Sequence, residues 1–127
     1  MSEESSLSPS VVFGLLADER RRYVLYYLDA QDGQAEFPAL AKHVAAREND
    51  TSVELLTEDM TERVSTRLYH TDLPKLADHG LIEDEFQQGT ITLTETAAQV
   101  AHYVDFARQL DDNTAVDGSN QARSGTD

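Results

Sequence analysis

A chain of 127 residues with 39% hydrophobic side chains is the size of one domain with one modest core. It has no cysteine, which excludes disulfides, cysteine-ligated zinc and thiol catalysis, and no run nears the roughly 18 apolar residues that span a bilayer. The formal net charge is −14, from 24 acidic residues against 10 basic ones, of which only Lys42 and Lys75 are lysines. Such a charge repels a nucleic-acid backbone in dilute buffer, but at 1 M salt the screening length is about 3 Å. The acidity therefore fits either a protein that avoids DNA or one adapted to molar salt, and scarce lysine with a globular pattern favours the second. Residues 1–8 are polar and acidic where a signal peptide would be basic, so a disordered N-terminus and a cytoplasmic protein are expected.

The first helix follows Ser8-Pro9 and carries Val11, Val12, Phe13, Leu15 and Leu16. Asp18 is a fitting N-cap for a second helix, Glu19 to Asp29. Asp32-Gly33 turns the chain, Gln34 to Phe37 is a short strand, and Pro38 suits the first turn of a third helix. An acidic linker, Glu48 to Asp59, contains Thr51 and Glu54 at capping-box spacing and so a short helical turn. A fourth helix runs from about Met60 to His79 and stops at Gly80. Leu81–Phe86 and Gly89–Leu93 form a hairpin, and Thr94-Glu95 opens a last helix through Ala97, Val100, Ala101, Val104, Ala107 and Leu110. Residues 111–127 have no apolar period and are expected to be a disordered acidic tail, which leaves 9–110 as the domain. The order helix, helix, strand, helix, helix, hairpin, helix predicts a mainly α fold with a small β-hairpin, a winged helix-turn-helix.

The segment Leu68-Tyr-His-Thr-Asp-Leu-Pro-Lys-Leu-Ala-Asp-His-Gly-Leu-Ile82 resembles the recognition helix and wing entry of ArsR- and MarR-type winged-helix proteins. Leu16 to Leu28 resembles their preceding arginine-rich helix. From about Val11 to Leu110 the chain is similar to winged-helix domains of salt-loving archaea. The resemblance implies a DNA-binding transcriptional regulator and names no effector. Two features depart from it. The linker from Glu48 to Asp59 exceeds the turn of a simple helix-turn-helix, and Pro74 lies inside the supposed recognition helix, where a kink is expected.

On a 100° wheel of the fourth helix, Tyr69, Leu73 and Leu76 fall together as a core stripe. Arg63, Arg67, His70 and Thr71 fall opposite, as the outward face a major-groove helix needs, although any solvated helix can carry two arginines. Arg20, Arg21 and Arg22 are the one basic cluster, fit either for phosphates of double-stranded DNA or for ion pairs with nearby acids. Glu83, Asp84 and Glu85 on the hairpin argue against a wing that enters a groove. The second helix carries Val24, Leu25 and Leu28 on one face and Tyr23, Tyr26 and Tyr27 on another, and the last helix carries a second stripe, Tyr103, Phe106 and Leu110. A chain this small seldom buries all of these, so Tyr23, Tyr27, Tyr103, Phe106 and Leu110 are expected at a homodimer interface. His102 and Asp105, one turn apart, are too little for a metal site, and no phosphate loop or nucleophile elbow is present, so neither cofactor nor enzymatic activity is expected. The alternative to DNA binding is a winged-helix module that binds protein.

Overall fold

The computed structural model describes residues 7–85 and 89–124, with side chains for 7–83 and 89–113. Residues 1–6, 86–88 and 125–127 lie outside the described residues, and with them the expected strand end at Phe86 and parts of the expected disordered termini. The chain is mainly helical with one small three-stranded antiparallel sheet. No helix among the described residues is long and apolar enough to cross a membrane.

Each element starts where local chemistry permits it. The helix α1 (Pro9–Leu16) places Pro9 in its first turn, and the Ser8 hydroxyl accepts from the Val11 amide at 3.3 Å. The Asp18 carboxylate accepts from the Arg20 and Arg21 amides at 2.8 and 3.4 Å and starts α2 (Glu19–Ala30). That helix ends where Asp32 and Gly33 take φ of 62° and 93°, a left-handed turn that Asp and Gly tolerate best. The strand β1 (Gln34–Glu36) leads into α3 (Phe37–Glu48), with Pro38 in its first turn. Within the acidic linker lies one 3₁₀ turn, Val53–Leu55, which begins after Ser52 with no side-chain cap, so the expected Thr51 capping box does not form.

The next helix shows how proline changes a period. Thr57 caps α4 (Glu58–Arg67), which passes through one π-helical turn, Leu68–Asp72, into α5 (Leu73–Asp78). The disturbance expected at Pro74 takes this form. Pro74 cannot donate to the His70 carbonyl, and its ring would press on that carbonyl in a regular helix. A wider preceding turn relieves the contact, and the Leu73 amide donates to the Leu68 carbonyl five residues back. The extra residue moves the buried stripe, which is Val64, Leu68, Leu73 and Leu76. Tyr69, placed in the core by a regular wheel, is 48% exposed; this corrects that expectation.

Beyond Gly80 come β2 (Ile82–Glu85) and β3 (Thr90–Leu93), which pair antiparallel with Ile82 opposite Leu93. The strand β3 also pairs with β1, so the sheet order is β1-β3-β2. Thr94 donates to the Gly80 carbonyl at 2.5 Å, accepts from the Ala97 amide at 3.3 Å and starts α6 (Glu95–Gln99). The last helix is two helices, not one, since Val100 leaves helical geometry before α7 (Ala101–Ser124). α7 continues through 111–124, the stretch expected to be tail. The core gathers Leu15, Val24, Leu28, Leu40, Val44, Leu68, Leu73, Leu76, Leu81 and Ile91, all nearly inaccessible, between the helices and the sheet.

Candidate functional site

The start of α2 carries three consecutive arginines, and each turns toward a carboxylate of its own chain. Arg20 donates through Nε to Glu48 at 2.8 Å and through Nη1 to Asp72 at 3.1 Å. Arg21 donates to the carbonyls of Leu15 and Gly14 and sets Nη1 3.5 Å from Asp72 Oδ1. That last spacing is an ion pair without hydrogen-bond geometry, and Asp72 Oδ1 accepts no hydrogen bond. Arg22 grips Asp111 with Nε and Nη2 at 2.9 and 3.2 Å and donates to the Leu16 carbonyl. The cluster thus ties α2 to α1, α3, the π turn and α7. It does not form an exposed basic strip, which is the ion-paired outcome of the two open at the sequence level.

Asp72 is 0% exposed and lies on the π turn, between two arginines of α2. A buried carboxylate is tolerable only with such partners. It follows Val64 and Leu68 at four-residue steps, so one acid set in an apolar stripe was the available signal for a buried ion pair. Sequence reasoning missed both this residue and Asp111. The Asp111 carboxylate is pushed up by partial burial, but the hydrogen bonds from Arg22 and from the Tyr26 hydroxyl (2.7 Å) outweigh this and hold it below its usual range.

The outward side of α4, the π turn and α5 presents Arg63, Arg67, His70 and Thr71, all exposed, together with Thr66, Tyr69 and Lys75. Arg63 pairs with Asp59 one turn earlier at 2.6 Å, a contact with both side chains about three-quarters exposed and so weak. Among the described side chains, Arg67 is the one arginine with no carboxylate partner. Lys75, which the sequence reading did not select, is likewise exposed and outside any ion pair. On the hairpin, Glu83 is exposed.

The tyrosine face of α2 finds its partners inside the protomer. The Arg47 guanidinium lies 4.7 Å from the Tyr23 ring centre and 5.4 Å from that of Tyr26, and Tyr27 stacks on His43 at 4.3 Å. Tyr23 is buried and Tyr27 half-buried, so neither offers a free surface of the kind expected for it. The other three residues expected at an interface are exposed: Tyr103, Phe106 (61%) and Leu110 line one side of α7. Phe13 of α1, 56% exposed, meets Tyr103 edge-on at 5.5 Å and extends that stripe. Asp105, the partner considered for His102, is bonded to Arg108, which also reaches Asp29 at 3.3 Å.

Residues 13–92, more than half of the chain, match a family described as a domain of unknown function, DUF7344. Neither a search of curated proteins nor one of solved structures gives a match.

Proposed function

The chain belongs to the DUF7344 family, and we propose that it is a winged-helix domain that binds double-stranded DNA in concentrated salt as a homodimer. The order helix, helix, strand, helix, π-interrupted helix and hairpin, with sheet order β1-β3-β2, supports the winged-helix reading. In that arrangement the α4–α5 unit is the recognition element. The observation that carries the DNA reading is its outward face: Arg67 stands exposed with its guanidinium uncommitted, whereas an acid neutralises every other arginine whose side chain is described. A planar fork of this kind can bond two acceptors on a guanine edge. Arg63, His70 and Thr71 extend the same surface, and Lys75 adds a positive charge beyond it. Arg20 and Arg21 serve this surface from behind, by fixing the π turn through Asp72, while Arg22 ties α2 to α7 through Asp111. The hairpin, with Glu83 exposed, stays out of the groove.

The dimer forms through Phe13, Tyr103, Phe106 and Leu110, an apolar stripe that two copies cover for each other by self-complementary contact. Selection from a random pool of duplexes at about 1 M KCl, where screening removes most of the −14 repulsion, tests the reading. Enrichment of one motif supports it, and an unenriched pool overturns it. A second reading, a protein-binding winged-helix module, has its own support in the six carboxylate-paired arginines, which leave few charges for phosphates. That module enriches no duplex.

A further inference from the structure

Three arginines from two elements line one cleft of about 260 Å³: Arg20 from α2, and Arg63 and Arg67 from α4, with Glu48 and Val64 completing the lining. This chain has 24 acidic residues and few cations to place. Three guanidinium side chains around one concavity favour an anion there, and although Arg20 and Arg63 have carboxylate partners, Arg67 has none. Glu48 does not fill that role for all three, because it is committed to Arg20 Nε at 2.8 Å. Unused donors remain. Arg20 spends Nε and Nη1 and leaves Nη2 without a partner, Arg63 spends only Nη2 on an exposed acid, and Arg67 spends none. Arg20 is also held still by two carboxylates, so its free nitrogen needs little further ordering to bind a ligand.

We propose that this cleft is a seat for one phosphoryl oxyanion, bonded by Arg20, Arg63 and one edge of the Arg67 guanidinium, whose other edge stays free for a base. Donors drawn from two helices suit a tetrahedral group with oxygens on several sides, and guanidinium–phosphate pairs are among the stronger charge-assisted bonds. A backbone phosphodiester and free phosphate share this chemistry. The carboxylate of Glu48 in the lining disfavours a second negative charge, so the singly charged phosphodiester is the better fit. The seat itself stands on the cleft; only its occupation by DNA rests on the reading proposed above.

The test follows arginine side-chain ¹⁵N signals of the full chain at constant KCl while inorganic phosphate, or a mixed-sequence duplex, is added. Both ligands are expected to shift the Nε signals of Arg20 and Arg67, and Arg67→Ala to weaken duplex binding about tenfold, the scale of one lost bond to a charged group. Arg63→Ala, also on an exposed residue, gives a second variant that should fold and show the same sign. Shifts with phosphate but none with duplex keep the seat, assign it to free phosphate and remove the DNA reading. Duplex binding with Arg20 and Arg67 signals unmoved, and Arg67→Ala binding like wild type, overturns the seat and leaves the DNA reading standing. Silence with both ligands overturns the seat.

Discussion

Asp72 has no exposed surface, and its two oxygens face guanidinium groups that are themselves largely covered. Removing it leaves Arg20 with Glu48 alone and Arg21 with only the 4.0 Å ion pair to Asp18, two covered cations under-compensated beneath the π turn. Asp72→Ala is therefore expected to cost about 3–5 kcal/mol in urea unfolding, the range for breaking a buried pair. A loss under about 1 kcal/mol would mean that water reaches the arginines in its absence. His43 and Asp111 make stability depend on pH. Burial, with Arg47 nearby, lowers the His43 pKa from its usual 6.5, so the unfolded chain binds a proton there first and stability falls as pH drops below about 6.5. Asp111 is also depressed, so its contribution is present above the ordinary value of 3.8 and is lost as pH falls through the lower folded value. Unfolding midpoints across this range should show two declines, and Asp111→Asn should remove the lower one. A lower decline that persists unchanged in Asp111→Asn would contradict the assignment.

The elements show which local rules survive in the folded chain. Caps and stops were legible because their chemistry lies within three residues: Ser8, Asp18, Asp32-Gly33, Thr94 and Gly80 all act where their side chains or φ values permit. The register after Arg67 was not legible, since a fixed 100° wheel has no place for the residue that Pro74 forces into the preceding turn. Partner choice was not legible either. Arg20 meets acids 28 and 52 residues away, and Arg22 meets one 89 residues away, and no spacing rule brings these together. The tyrosines were read correctly as needing cover, but the cover is Arg47, His43 and Asp111, not a second copy. The π turn makes a sharp prediction about adjacent residues. Leu68→Ala should cost about 2–5 kcal/mol as a fully buried leucine, whereas Tyr69→Ala should cost far less. Equal costs would restore the regular wheel and remove the π turn from the account.

For the whole molecule, a charge of −14 on one small domain is a standing repulsion that salt relieves. The thermal midpoint should climb as KCl goes from dilute to molar, and a midpoint that does not respond would refute adaptation to concentrated salt. The apolar stripe of α1 and α7 predicts a dimer by sedimentation, and Phe106→Glu a monomer with the same helix content; a wild-type monomer at about 10–100 μM contradicts the dimer. Whether the face carrying Arg63 and Arg67 meets DNA comes down to one comparison. Wild type and the Arg63→Ala/Arg67→Ala double variant are first matched for thermal midpoint. Their affinities are then measured for the best selected duplex and for scrambled duplexes in concentrated KCl. The double variant is expected to lose about 1–3 kcal/mol or more on the selected site, with preference over scrambled sequence blunted. Equal affinity of the two proteins for the selected site would contradict DNA contact by this face.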